Sequence, residues 1–160
     1  MLISQARRFG DVLVERHIVT REFVESTLEL AAQSGEPFPD VIARTADLHP
    51  SDVAAGWAAA LGVVYIDFAT QVVHTDAANL LDEEVARANR AAPVRVGDDG
   101  LVVAFEPPLD PVKVRAVSDY LRASDGPELL VGMSESSGVD AAIAAAYGGP
   151  EPDTVTGGQG

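Results

Sequence analysis

Hydrophobic positions near the start of the chain recur with helical spacing, and the pattern stops and then resumes. The first stripe consists of Phe9, Val12, Leu13 and Arg16, at i, i+3, i+4 and i+7. This spacing predicts a helix over roughly residues 4 to 16. A second stripe follows Thr20, which is suited to cap a helix N-terminus, and it ends near Gly35. The two stripes together predict a helical hairpin.

The same pattern returns at a constant offset of 29 residues. The paired positions are Phe9 and Phe38, Asp11 and Asp40, Val12 and Val41, Leu13 and Ile42, Val19 and Leu48, Val24 and Val53, and Leu28 and Trp57. In the second copy His49 takes the capping position of Thr20. Pro50 follows at the first helical position, where its missing N–H costs nothing. Residues 1–61 are therefore predicted to form a four-helix subdomain with two repeats.

After Gly62 the period becomes strand-like, with β-branched and aromatic residues prominent. Expected elements are a strand at 63–68, a helix at 82–90, two strands joined by a turn at Asp98-Asp99-Gly100, a helix at about 110–123, a strand at 128–132 and a helix ending at Tyr147. This order predicts a small α/β subdomain over residues 62–148, with a mixed sheet and flanking helices against one face. The expected fold class is α+β. Residues 149–160, rich in Gly and Pro, are predicted to be a disordered tail or linker.

Composition narrows the function classes. The chain has 160 residues, 47% of them hydrophobic, and a formal net charge of −14. Such an acidic surface repels a phosphate backbone, so nucleic acid is not an expected partner. No apolar run is long enough to span a membrane, and no signal-peptide pattern opens the chain. We expect a cytoplasmic protein without direct membrane insertion, held at the inner face of the membrane only through a partner.

The search for catalytic motifs finds none. Cysteine is absent, and the three histidines show no metal-ligand spacing. No phosphate-binding loop of the G-x-x-x-x-G-K-[ST] type is present. The acidic pair Glu83-Glu84 suits the first turn of a helix, and Asp98-Asp99 suits a hairpin turn. The sequence therefore predicts no catalytic residue, no metal site and no enzyme.

Two features bear on ligand binding. Trp57 occupies the repeat position of Leu28 on an apolar stripe, which favours core packing over a binding anchor. Arg8 and Gly10 would bring a cation and free backbone N–H groups together at a helix start, an arrangement suited to a phosphate or a guanine base. A solvated arginine beside a glycine is the alternative interpretation.

The motif around these residues resembles a known family. Arg8-Phe9-Gly10, then Leu13-Val14 and Ile18-Val19, followed by a second copy, is similar to the N-terminal (MshEN-type) domain of the GspE/PilB type II secretion and type IV pilus assembly ATPases. The similarity continues through "ALGVVYIDF" and "ARANRAAPVRVGDDGLVVAFEPPLD" to "VDAAIAAAYG", over roughly residues 8–148.

The resemblance implies a non-catalytic regulatory or docking domain beside a catalytic domain, either an ATPase or a glycosyltransferase. Its expected partner is a protein of a secretion, pilus or glycan-synthesis assembly. No cofactor is implied.

The resemblance also implies an alternative, a cyclic di-GMP receptor domain that uses the intact first copy. The residues implied for nucleotide binding are Arg8, Phe9, Gly10, Asp11, Leu13, Val14, Phe38 and Asp40. The second copy departs from the family's Arg-Leu-Gly, since Pro37, Phe38 and Pro39 occupy those positions. Loss of the second cation is expected to cost about 1.5–3 kcal/mol, or roughly ten to 150-fold in affinity. We expect a retained fold with weakened or lost nucleotide binding.

Overall fold

The computed structural model describes residues 2–148. Their elements are α1 (Leu2–Glu15), α2 (Arg21–Ser34), α3 (Phe38–Thr45), α4 (Pro50–Leu61), β1 (Val64–Tyr65), α5 (Thr75–Leu80), α6 (Glu83–Ala88), β2 (Ala92–Gly97), β3 (Gly100–Phe105), α7 (Pro111–Ala123), β4 (Leu129–Met133) and α8 (Ser136–Tyr147). The mixed helix and strand content confirms the α+β class. None of the described helices is both long and apolar enough to cross a lipid bilayer. The predicted tail at 149–160 lies outside the described residues.

Local signals set the ends of the first four helices. The Thr20 side chain accepts a hydrogen bond from the Phe23 N–H and so caps α2. Gly35 ends that helix with φ 76°, in the left-handed region where glycine carries no Cβ penalty. In the second repeat His49 accepts from the Ser51 N–H, and Pro50 opens α4. These caps confirm the helix starts predicted at Thr20 and His49.

Four strands form one mixed sheet in the order β1-β4-β3-β2. β2 and β3 are an antiparallel hairpin, while β4 lies parallel to β3 on one side and to β1 on the other. Every residue of β3 is buried. Leu101, Val103 and Phe105 pack with Val117 and Leu121 of α7. This face of the sheet is therefore closed by helices.

The opposite face is covered as well. Val102 and Ala104 of β3 pack with Val139, Ala142 and Ile143 of α8. The prediction that helices would cover one face only is therefore wrong. A strand such as β3, with both neighbours occupied and both faces apolar, is buried on two sides and requires a helical layer on each.

Two further segments differ from the sequence-based expectation. The strand expected at 63–68 is limited to β1, because Asp67 begins a turn in which its carboxylate accepts from the Ala69 N–H at 3.0 Å. The short helix α5 had no counterpart among the predicted elements, since six residues are too few to show a helical period.

Helical and sheet-containing parts share side-chain contacts. Met133 of β4 is fully buried within the helical core cluster, and Leu109 packs against both that cluster and the α7 side of the sheet. The division at residues 61 and 62 stays a prediction.

Candidate functional site

The eight residues implied for nucleotide binding fall into two groups in the structure. Four of them are buried, namely Phe9, Gly10, Leu13 and Phe38. Val14 is partly buried, while Arg8, Asp11 and Asp40 are exposed. The structure therefore does not bring all eight side chains to one solvent-facing surface.

Phe9 and Phe38 meet inside the helical core. Their ring centroids lie 6.3 Å apart in an edge-to-face arrangement. The Trp57 ring lies 5.0 Å from Phe9 and 6.4 Å from Phe38. Trp57 is only 1% exposed, which confirms the core role favoured by its repeat position. The duplicated aromatic position thus supplies packing between the two repeats.

Gly10 has a packing role. It lies in the middle of α1, where backbone N–H groups already donate within the helix, so the expected free N–H groups of a helix start are absent there. A methyl group at position 10 would stand 2.5 Å from Cγ1 of Val24 on α2. The glycine therefore allows α1 and α2 to approach closely.

The exposed members of the set have different surroundings. Asp11 accepts from Arg21 at 2.7 Å, and this hydrogen bond raises the pKa of Arg21. Asp40 lies in the first turn of α3, where a carboxylate complements the helix dipole. Arg8 is exposed and makes no ion pair or side-chain hydrogen bond within the described residues. Among the predicted residues, Arg8 is thus a cation open to a ligand.

A groove of about 820 Å³ opens beside this core, between α1, α2 and the start of α3. Its apolar lining consists of Ala6, Leu28, Ala31, Ala32, Gly35, Pro37, Phe38, Pro39, Trp57 and Pro108. Its polar lining consists of Arg7, Glu25, Ser26, Glu29 and Glu36. Only Phe38 of the eight predicted residues belongs to the groove.

Carboxylates dominate the rim of the groove. Arg7 donates to Glu25 at 2.9 Å. Arg44 donates to both carboxylate oxygens of Glu36, at 3.1 and 3.2 Å, and this contact lowers the pKa of Glu36. Glu29 has no ion pair within residues 2–148. The rim therefore keeps a negative charge at neutral pH.

Beneath the groove, Gln5 joins the helices to the loop before α7. Its side-chain oxygen accepts from Trp57 Nε1 at 3.0 Å and from the Leu109 N–H at 3.0 Å. Its side-chain amide donates to the Leu109 carbonyl oxygen at 2.8 Å. Trp57 lines the groove, so this network ties the groove floor to the sheet-containing part of the chain.

Sequence patterns did not single out the groove. Leu28 and Ala31 stand three residues apart on the stripe of α2, a signal that marks them as one face. The groove also needs α1, the segment from Pro37 to Pro39, and Pro108 from far along the chain. No local pattern indicates that these segments meet.

A metal centre has no support in the described part of the chain. No group of three or more His, Cys, Asp or Glu side chains is placed to hold a metal ion in residues 2–148.

Comparison with known proteins gives one family and a consistent fold. The MshEN domain family model matches residues 61–153. No curated protein matches the chain. A solved structure described as MshE with cdg is 24% identical, with TM-score 0.71 over 87% of this chain and 98% of that chain. The N-terminal domain of XpsE is 21% identical, with TM-score 0.61 over 90% of this chain and 96% of that chain.

These matches bear on both parts of the molecule. The family model covers more than half of the chain, mainly the sheet-containing part. The two solved structures cover 87% and 90% of the chain, so their shared fold extends over the helical part as well. The resemblance inferred from the motifs is confirmed.

Proposed function

Since this chain belongs to the MshEN domain family, we propose that it is a non-catalytic regulatory or docking domain that acts by protein–protein interaction next to a catalytic domain. The catalytic domain is an ATPase or a glycosyltransferase, on the same or another chain. The partner belongs to a secretion, pilus or glycan-synthesis assembly.

The observation that carries this proposal is the groove beside Phe38 and Trp57. Aromatic and aliphatic side chains line it, and charged side chains surround it, which is the composition of a protein-binding surface with an apolar centre and a polar rim. The likeness to the N-terminal domain of XpsE adds that this fold occurs as a domain of a larger protein.

The test is a binding and activity experiment with candidate catalytic domains from the same organism. Each ATPase or glycosyltransferase domain is mixed with the chain, and complex formation is followed by size-exclusion chromatography with light scattering. Catalytic turnover is measured with and without the chain. We expect a stable complex with one candidate and an altered turnover, while the chain alone hydrolyses no ATP. Turnover by the chain alone, or binding to none of the candidates, contradicts the proposal.

A second candidate function is binding of cyclic di-GMP. The observation that favours it is Arg8, which is exposed and has no ion pair within residues 2–148, in a fold shared with MshE solved with cdg. Against tight binding stands Phe9, which is fully buried and does not offer its ring to a base. Calorimetric titration with cyclic di-GMP tests this function, with GTP and ATP as competing ligands. Arg8→Ala should abolish the heat, whereas Arg16→Ala, at another exposed arginine of the same segment, should not. No heat with the unaltered chain excludes this function.

A further inference from the structure

The groove points to one kind of partner segment. We propose that it binds a short amphipathic helix with an apolar face and basic flanks, supplied by the partner protein. This inference rests on the proposed docking function and identifies the surface and the chemistry that docking uses.

The shape of the groove fits a helix. Along α2 and the Gly35 that ends it, the lining residues run from Glu25 to Gly35, a distance of about 15 Å at 1.5 Å per residue. A partner helix of roughly ten residues spans the same length and presents apolar side chains at i, i+3 or i+4, and i+7. Leu28 and Phe38 provide the large apolar contacts, and Ala32 leaves room for a side chain of the partner.

The charged residues around the groove indicate which side chains should flank the apolar face of the partner helix. Glu25, Glu29 and Glu36 line the groove. Arg7 pairs with Glu25 and Arg44 with Glu36, so Glu29 is the carboxylate of the three without an ion pair within residues 2–148. Glu29 lies one helical turn from the Arg7–Glu25 pair, about 6 Å along the axis, so a cation on the flank of a partner helix can pair with Glu29 without displacing Arg7. A phosphate-bearing ligand would meet carboxylates instead, so an anionic occupant is disfavoured.

Charge also argues against occupants from this chain. Residues 149–160 contain Glu151 and Asp153 and no lysine or arginine. A second copy would bring a further net charge of −14 to the interface. Both would add negative charge to a negative rim, whereas a basic segment of another protein neutralises it.

Three labelled peptides of 14 residues test the assignment on the whole chain by fluorescence anisotropy. The first has leucines at i, i+3, i+4 and i+7 with lysines on both flanks, the second has glutamates in place of the lysines, and the third has serines in place of the leucines. We expect the first to bind roughly tenfold more tightly than either of the others, because both the apolar face and the charge contribute. The emission of Trp57, the one tryptophan of the chain, should shift on binding. Equal binding of the lysine and glutamate peptides overturns the proposal.

Two pairs of variants locate the site. Ala32→Tyr fills the groove without altering charge, and Gln33→Tyr places the same side chain on the neighbouring exposed position outside the groove. Glu29→Lys reverses a charge on the rim, and Glu128→Lys makes the same change at an exposed residue outside the groove. For the lysine peptide, Ala32→Tyr should lower the affinity at least about tenfold and Glu29→Lys at least about threefold. The two control variants should stay within about twofold of the unaltered chain. Equal losses within either pair contradict the groove as the binding site.

The catalytic-domain assay separates this inference from the proposed function. If Ala32→Tyr prevents the complex and Gln33→Tyr does not, the groove is the docking surface. If both variants still form the complex, docking stands and the groove assignment is wrong. If the unaltered chain binds the lysine peptide but no catalytic domain, the groove assignment holds and the proposed function fails.

Discussion

At the residue scale, Gln5 shows how a single side chain secures a buried tryptophan. Its amide has one acceptor oxygen and one donor nitrogen, and it uses both: the oxygen for Trp57 and the Leu109 N–H, the nitrogen for the Leu109 carbonyl. Trp57 is 1% exposed, so water has little access to replace the bond to its indole N–H. A buried donor without a partner costs more than an average hydrogen bond contributes.

We therefore predict that Gln5→Leu lowers the free energy of unfolding by about 1–3 kcal/mol. Leucine has a similar side-chain volume but lacks the acceptor oxygen and the donor nitrogen of the amide. Urea denaturation followed by far-UV circular dichroism measures it. Gln33→Leu, at an exposed site on α2, serves as the control and should change that free energy by less than about 0.5 kcal/mol. A Gln5→Leu variant as stable as the control would mean that the network contributes nothing.

Tyr147 supplies a second prediction at this scale. Its hydroxyl donates to the Leu81 carbonyl at 2.6 Å, and burial, followed by the charges of Asp82 and Glu83, raises its pKa to about 12. The folded state therefore favours the neutral phenol. Its stabilising contribution is complete below the ordinary pKa of about 10 and is lost as the pH rises from there through 12. Two pKa units correspond to about 2.7 kcal/mol, and partial solvent exposure of the ring reduces this to roughly 1 kcal/mol.

Tyr147→Phe removes the titrating hydroxyl and so isolates its contribution to stability. At pH 7 the variant should be less stable than the unaltered chain by about 1 kcal/mol, the value of one hydrogen bond. The difference should shrink above pH 10 and vanish near pH 12, because the other titrating groups are common to both proteins and only the unaltered chain loses the Tyr147 proton in that window. Urea denaturation of both proteins across the pH range provides the measurement. A difference that stays constant from pH 7 to pH 12 would contradict the assigned titration.

At the scale of the elements, the approach of α1 to α2 depends on Gly10. Because a methyl group there would lie 2.5 Å from Val24 Cγ1, the helices must separate or Val24 must move. We predict that Gly10→Ala lowers the free energy of unfolding by about 1–2 kcal/mol, since overpacking outweighs the gain of about 1 kcal/mol in helix propensity. Gly97→Ala is the matched control, because a methyl group there meets no atom within 4 Å.

A double-variant cycle sharpens this prediction. In a Val24→Ala background the obstructing methyl group is gone, so Gly10→Ala should cost less there than in the unaltered chain. Thermal and urea unfolding of the four proteins give the coupling free energy. If Gly10→Ala is neutral in both backgrounds, close helix packing does not explain the glycine, and a ligand role regains support.

The elements also show what the sequence could predict. The starts of α2 and α4 follow from the caps predicted at Thr20 and His49, because a cap is formed within a few residues of the same chain. The coverage of the second sheet face depends instead on where α8 packs, which no local signal determines. In the same way, the apolar stripe placed Phe9 on one face of α1, but its contact with Trp57 across the repeats depends on tertiary packing that the stripe does not specify.

The candidate site was predictable to a smaller extent. The repeat alignment predicted that Trp57 lies in the core, and it does. The motif indicated Arg8 as a cation available to a ligand, and its side chain is exposed. The groove was not foreseen, because its lining combines α1, α2 and the start of α3 with Pro108. These segments are distant in sequence, and only tertiary packing brings them together.

At the scale of the whole molecule, the helical and sheet-containing parts share apolar contacts. Met133 extends from the end of β4 into the helical cluster, and it is fully buried there. Leu109 contacts that cluster and the α7 side of the sheet. Its backbone N–H donates to the Gln5 side-chain oxygen, and its carbonyl oxygen accepts from the Gln5 side-chain amide. Disrupting one part would thus expose apolar surface of the other. Shared burial of this kind favours a single cooperative transition.

We predict that both parts unfold together. Trp57 fluorescence reports on the helices, and hydrogen exchange of the β3 and β4 amides reports on the sheet; the two should give the same free energy of unfolding. Met133→Ala should lower both values equally, by about 2–5 kcal/mol, because it leaves a cavity where the parts meet. Val112→Ala, at a side chain that is 74% exposed, should lower neither. If Met133→Ala reduced only one of the two free energies, the two parts would be independent units. Binding of a partner in the groove would then not affect the sheet through the shared core.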